Sequence, residues 1–186
     1  ALASARASRH YPDDLRRRPA FSSLGATHPD APLILDCGLR RYGQPDYTNR
    51  VIDLFCPFGK GQRALIVAPA KAGKTMVLQA VAEGISKNNP QALLLILLVD
   101  ERPEEVTEME MIGFGEVVSS SFDHPAERHV AVAELTLERA RRRVEQGEDV
   151  VLILDSITRL ARAYNTVERG TGRTMTGGLD SSALEK

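Results

Sequence analysis

Tryptophan is absent from the 186 residues, aromatic side chains make up 5% of them, and only two cysteines occur, Cys37 and Cys56. The cysteines form no CxxC pair, and His10, His28, His124 and His129 show no ligand spacing, which excludes a Cys/His zinc motif. Thiols outside a disulfide framework fit a reducing compartment. Long hydrophobic runs are missing too. The longest, Ala92–Val99, has eight residues, against the ~20 needed to span a bilayer. No apolar stretch follows the first arginines, so the secretory-signal pattern is lacking. The expectation is a cytoplasmic protein with no membrane partner. Charge of one sign is also lacking overall: the net charge is −1, which points to no nucleic-acid partner by itself. The charge is local instead, since residues 100–149 hold 14 acidic and 6 basic side chains while residues 1–63 hold 6 acidic and 10 basic.

What is present is an ordinary globular balance, 42% apolar and 26% charged, over about one domain's length of chain. Residues 1–32 show no apolar period and read as a linker or tether, with a basic arm on nucleic acid as the second reading. Leu33–Asp36 reads as a short strand. Thr48 is placed to cap a short helix carrying Val51, Ile52, Leu54 and Phe55, stopped by Pro57. From Arg63 onward the pattern becomes regular. Apolar runs at Ala64–Ala68, Ala92–Val99 and Val150–Leu154 read as strands, and Glu116–Ser121 reads as another. Helical stretches fall between them, at 74–86, 104–111 and 126–146, and a further helix opens at Ser156. In the longest, Ala126, Val130, Ala133, Leu137, Ala140 and Val144 make one apolar stripe. Arg141, Arg142 and Arg143 then fall on its solvated face. Alternating strands and helices predict an α/β fold with a mainly parallel sheet and helices on both faces, its strand C-termini on one ligand-binding edge.

That edge collects the chemistry. Ala68–Thr75, APAKAGKT, has the phosphate-loop pattern with Ala for the first Gly. Gly73 lets the backbone approach a polyphosphate, and the amides of residues 70–75, including that of Ala72, can turn inward as a nest. Lys74 brings a cation to the outer phosphates at a helix N-terminus, and Thr75 offers a hydroxyl to Mg²⁺. Asp155 ends an apolar strand where an acid can hold the metal's water shell; its other reading is a helix cap ahead of Ser156. Glu101 ends another strand, positioned to activate water, or alternatively is a solvated strand end. Together these are the parts of an ATPase, with ATP and Mg²⁺ as cofactors. Lys71 is an added cation, or plain surface charge; Arg102 and Arg159 lie near the same edge. Residues 168–178 hold four glycines and two arginines without an aromatic. That composition suits phosphodiester contact without base stacking, or a flexible surface loop.

Three segments, GKGQRALIVAPAKAGKT, LLVDERPEEVTEM and LILDSITRLARAYNTV followed by TGG, resemble the bacterial Rho transcription termination factor family from Thr48 to the C-terminus. The resemblance implies a RecA-like phosphate-loop ATPase in a homohexameric ring that pulls RNA through its channel and acts on the RNA polymerase transcription complex. It implies a division at 1–47, a linking segment, and 48–186, an incomplete, C-terminally truncated ATPase domain. By position, Glu101, Lys74 and Asp155 are the catalytic set, and Thr75 and Asp155 the metal side. Gly59, Lys60, Gly61, Gln62, Arg63, Ala64, Lys71, Ala72, Gly73, Met76 and Arg102 line the nucleotide. Arg173, Thr176, Gly177 and Gly178 contact RNA. Against this stand two alternatives: a non-catalytic nucleotide- or RNA-binding fragment, and a related ring ATPase such as a rotary ATP synthase subunit. The family's upstream oligonucleotide-fold domain and its later arginine are expected outside this sequence, so the chain alone should turn over little.

Overall fold

The computed structural model describes residues 18–25, 28–69 and 71–167. Its centre is a three-stranded parallel sheet of β5 (Leu93–Glu101), β6 (Glu116–Ser121) and β7 (Val150–Asp155), in the order β6-β5-β7. Register is fixed on both sides of β5: Leu97 lies opposite Val118 and Leu154, and Leu98 opposite Ser119 and Asp155. The helices α3 (Pro103–Ile112) and α4 (Ala126–Glu145) make the crossovers. The helix α2 (Lys74–Asn88) precedes the sheet and α5 (Ile157–Val167) follows it.

Period-two alternation along β5 divides the core. Leu94, Ile96 and Leu98 pack with Leu78, Val81 and Ile85 of α2 and with Val106 and Met109 of α3. Leu97 and Val99 face the other way, onto Ala133 of α4 and Leu160 of α5. Helices therefore cover both faces, which is why every position from Leu94 to Val99 can be apolar and buried.

Residues ahead of the sheet wrap onto this body. Two small antiparallel ladders form, β1 (Pro32–Leu33) with β4 (Phe58–Gly59) and β2 (Arg40–Arg41) with β3 (Gln44–Pro45). Between them lies α1 (Thr48–Phe55). Leu35 is fully buried, and Asn49 of α1 donates to the carbonyls of Leu35 (3.1 Å) and Ala80 (2.7 Å). The contact is close enough that a Cβ on Gly84 would stand 2.4 Å from the Leu35 oxygen, so α2 needs glycine there.

Several expectations are corrected by this structure. Residues 64–68 form no strand: residues 62–69 pair with no strand among the described residues. Ile66 packs against the core while Leu65 and Val67 are 70% and 83% exposed, and a cleft of about 980 Å³ separates this extended run from the outer edge of β7. An apolar alternation is enough for burial of one side chain, but a strand also needs a neighbour for its amides and carbonyls. β5 ends at Glu101, the strand-end position expected for that acid, and α2 continues two residues past 86 to Asn88. The N-cap of helix α1 is Tyr47 and not Thr48, and the Thr48 amide (2.9 Å) and hydroxyl (2.5 Å) donate to Asp46 Oδ1 just ahead of it. Of the four apolar residues that the helix carries, Val51, Leu54 and Phe55 are exposed. In α4 the buried line runs through His129, Ala133, Thr136 and Ala140, with Val130 beside it, and Leu137 is exposed. His129 is satisfied by the Ser120 hydroxyl at 2.7 Å, and the Thr136 hydroxyl donates to the Val132 carbonyl at 2.7 Å. The arginines that follow are consumed locally: Arg141 and Arg142 pair with Glu138, Arg142 also with Glu145, and Arg143 with Glu148.

Candidate nucleotide site

At the C-terminal edge of the sheet, a cavity of about 410 Å³ opens between the turn before α2, the ends of β5 and β7, and the first turns of α3 and α5. The turn is made by Gly73, at φ +89°, a left-handed conformation that costs glycine little. A Cβ there would meet no atom within 4 Å, so it is the backbone angle and not crowding that selects glycine. The Ala72 amide donates to the Pro69 carbonyl at 3.3 Å, tightening the loop, and the Val77 amide donates to the Gly73 carbonyl, starting the helix at Lys74. The helix therefore opens into the cavity with unsatisfied amides and its positive dipole end.

Charge in the cavity is balanced. Lys71, Lys74 and Arg159 face Glu101, Glu105 and Asp155. The Lys74 Nζ stands 2.6 Å from Asp155 Oδ1, and the Arg159 guanidinium 3.5 Å from Glu101 Oε2. Both acids are nearly inaccessible, at 4% exposure each. Burial pushes the Glu101 carboxyl up to about 7, helped by a hydrogen bond with Glu105 and by the nearby Asp155 charge, and opposed by Arg159. The buried Glu101 Oε2 and Asp155 Oδ1 are met by cations, Arg159 at 3.5 Å and Lys74 at 2.6 Å. Buried carboxylate oxygens balanced by mobile cationic side chains, beside the Thr75 hydroxyl, fit a polyphosphate that takes over the lysine and a hard cation that replaces its charge.

The sequence-derived residues divide between places. Lys71, Gly73, Lys74, Thr75, Met76, Glu101 and Asp155 line this cavity together. Gly59, Lys60, Gly61, Gln62 and Ala64 line the larger cleft beside β7, where Lys60 pairs with Asp149 at 2.6 Å and the Gln62 side-chain Oε1 accepts from the Gly59 amide. Arg63, Ala72 and Arg102 are exposed and line neither space, Arg102 serving as the residue before α3. Arg173, Thr176, Gly177 and Gly178 lie outside the described residues. Sequence reasoning missed Glu105. Its signal was Pro103, which starts a helix immediately after the strand and so turns the next acid back toward the strand end.

Comparison with known proteins agrees with this geometry. The chain is 65% identical over 172 residues to the transcription termination factor Rho of Gemmatimonas aurantiaca, covering 92% of this chain and 23% of that protein. It is 53% identical over 175 residues to Rho of Pseudomonas aeruginosa, covering 94% of this chain and 41% of that one. The chain thus spans between about a quarter and two-fifths of the length of these relatives. Among solved structures it is similar to EscN, the assembled ATPase of the enteropathogenic Escherichia coli type III secretion system (TM-score 0.70, 28% identity, 86% of this chain and 37% of that chain). A prototypical type III secretion ATPase gives a TM-score of 0.69 at 26% identity, over 90% of this chain and 47% of that chain. Residues 48–178, which carry the phosphate-binding turn and both strand-end acids, match the nucleotide-binding domain of the ATP synthase alpha/beta family, and the chain belongs to that family.

Proposed function

We propose that this chain is the ATP-hydrolysing part of a Rho-type RNA translocase, in which hydrolysis pulls RNA through a homohexameric ring and terminates transcription. The observation that carries the reading is the meeting of Lys74, Thr75, Glu101 and Asp155 around one cavity at the sheet edge, in a chain that is 52–65% identical to Rho factors. In this reading residues 48–186 are the ATPase unit, 1–47 lead into it, and the protein works in the cytoplasm on the RNA polymerase transcription complex.

The residues divide the work by their chemistry. The Gly73 turn brings backbone amides against the β- and γ-phosphates, and Lys74 leaves Asp155 to neutralise the outer phosphate. Thr75 and Asp155 would hold Mg²⁺, which neutralises phosphate charge when bound. Glu101, its buried Oε2 faced by the Arg159 guanidinium at 3.5 Å, orients the attacking water and takes its proton. Met76 is half-exposed at the cavity rim, where its thioether can cover an apolar part of the nucleotide. Gly59–Ala64 and Arg102 complete the nucleotide contacts in this reading, and Arg173, Thr176, Gly177 and Gly178 grip the RNA backbone.

The test is Glu101→Gln in the complete protein. ATP binding by equilibrium dialysis stays within about threefold, while hydrolysis falls by at least about 100-fold. Turnover near the parent rate removes Glu101 from the mechanism. The likeness to type III secretion ATPases favours a second reading, a ring ATPase that does not use RNA. Stimulation of turnover by added RNA decides for the first, and an RNA-indifferent rate decides for the second.

A further inference from the structure

Glu145 is the last residue of α4, and its position is costly on two counts. An acid at a helix C-terminus meets the negative end of the dipole. Its side chain is also only 1% exposed, and a carboxylate taken out of water must be met by donors. Arg142, one turn back, supplies part of that need at 2.7 Å, but it also pairs with Glu138, and such an intrahelical pair forms as well in solvent. The rest comes from far away in the chain. The Phe21 amide donates to Glu145 Oε1 at 2.8 Å, and Arg18 Nε stands 3.1 Å from Oε2. Beside them the Arg141 guanidinium lies over the Phe21 ring, 5.7 Å from its centroid. A single 3-10 turn, Phe21–Ser23, shapes the segment for this contact, and the Ser23 amide and hydroxyl close it by donating to the Ala20 carbonyl at 2.9 and 2.7 Å.

We infer that Arg18–Leu24 is a strap and that Glu145 is its latch, a buried carboxylate kept at the end of α4 for the donors of the strap. The latch fixes the point at which the preceding chain joins the domain. α4 ends, and β7 begins, at the edge of the sheet opposite the nucleotide cavity. The six residues of β7 separate the two places, about 17 Å at ~3.3 Å per residue. The strap thus ties the upstream chain to one pole of the sheet while the phosphate-binding turn occupies the other. Phe21 also lines the cleft beside β7, so release of the strap widens that cleft. The inference stands apart from the ATPase reading, because every contact in it lies away from the nucleotide cavity.

The experiment compares the 186-residue chain with its Glu145→Gln, Glu145→Ala and Arg18→Ala variants. Amide hydrogen exchange is read by mass spectrometry on peptides covering residues 20–24 and 130–140. In the parent, 20–24 exchanges at least about tenfold more slowly than a free chain. Glu145→Ala brings 20–24 to within about threefold of the free rate, while 130–140 exchanges as in the parent. Glu145→Gln, which keeps an acceptor for the Phe21 amide, and Arg18→Ala fall between. A segment 20–24 that is unprotected in the parent, or as well protected in Glu145→Ala, overturns the inference. Should Glu145→Ala also expose 130–140, Arg18→Ala decides. Exchange of 20–24 raised at least about threefold, with 130–140 unchanged, upholds the latch, and no change in 20–24 overturns it. A second measurement uses the absence of tryptophan from the chain. Phe21→Trp places a single indole under Arg141, and adding Glu145→Ala raises its quenching by acrylamide at least about twofold. Equal quenching with and without Glu145 overturns the latch.

Discussion

Two adjoining openings among the described residues, which share Ala68, Lys74, Asp155 and Arg159, are otherwise built from opposite materials. The cavity at the sheet edge holds about 410 Å³ and is lined by three cations and three acids on elements that are otherwise anchored. The cleft beside β7 is larger, about 980 Å³, and its walls are mostly apolar, among them Leu65, Val67, Leu78, Val81, Ile85 and Leu152. One opening is a finished polar site whose groups await a ligand. The other is a gap between two stretches of backbone with no paired strand among the described residues, the outer edge of β7 and the run 64–68. Burial of apolar surface stabilises the fold, so the cavity should weaken the protein and serve chemistry, while the closed side of the sheet should carry the stability.

The sharpest test of that contrast uses similar side chains in both regions. Ile96 is 1% exposed at the centre of β5, and Leu65 is 70% exposed at the cleft. Ile96→Ala should destabilise by about 2–5 kcal/mol, and Leu65→Ala by no more than about 0.5 kcal/mol, both read by urea unfolding. Equal losses would mean the cleft is closed in solution. A second effect is smaller and runs the other way. The Glu101 carboxyl is raised in the folded state to about 7 from an ordinary 4.5. The folded chain then holds an extra proton between those values, so stability falls as pH rises from about 4.5 to 7 and stays lower above. Glu101→Gln removes the penalty and should stabilise the protein at pH 8 by roughly 1–3 kcal/mol, with little change at pH 4. A variant no more stable than its parent at pH 8 would mean the cavity carries no strain.

Much of this was legible in the sequence, for a physical reason. β5 is a fully apolar run because helices cover both its faces, and APAKAGKT sits where a turn must bend around an anion. Local chemistry fixed those features. What failed depended on neighbours. The run 64–68 has strand composition, but composition cannot supply a partner strand. In α4, His129 and Thr136 are buried because Ser120 and the Val132 carbonyl satisfy them, and a stripe drawn from apolar residues alone passes over them. Thr48 looked like the cap because it opens the helix, whereas the cap is Tyr47 and the oxygen that accepts the Thr48 amide belongs to Asp46, two residues earlier. Glu105 was hidden among six acids between Asp100 and Glu110, and only the turn at Pro103 brings it back to Glu101.

The cleft itself gives the smallest change in stability and the clearest change in behaviour. Val67 is β-branched, 83% exposed, and lies in a run with no strand neighbour among the described residues. An extended apolar edge of this kind is a template for pairing with another chain, and natural edges are commonly blunted with lysine. Val67→Lys should leave the thermal midpoint of the 186-residue chain within about 2 °C, because a side chain already in water loses almost no burial. Its effect belongs to association: by light scattering, the parent should self-associate as concentration rises, and the variant should remain monomeric over the same range. If both associate alike, the sticking surface lies elsewhere, with the exposed Leu54 and Phe55 of α1 as the next surface to charge. If the parent stays monomeric throughout, the two edges close on each other in solution and the cleft is narrower than described.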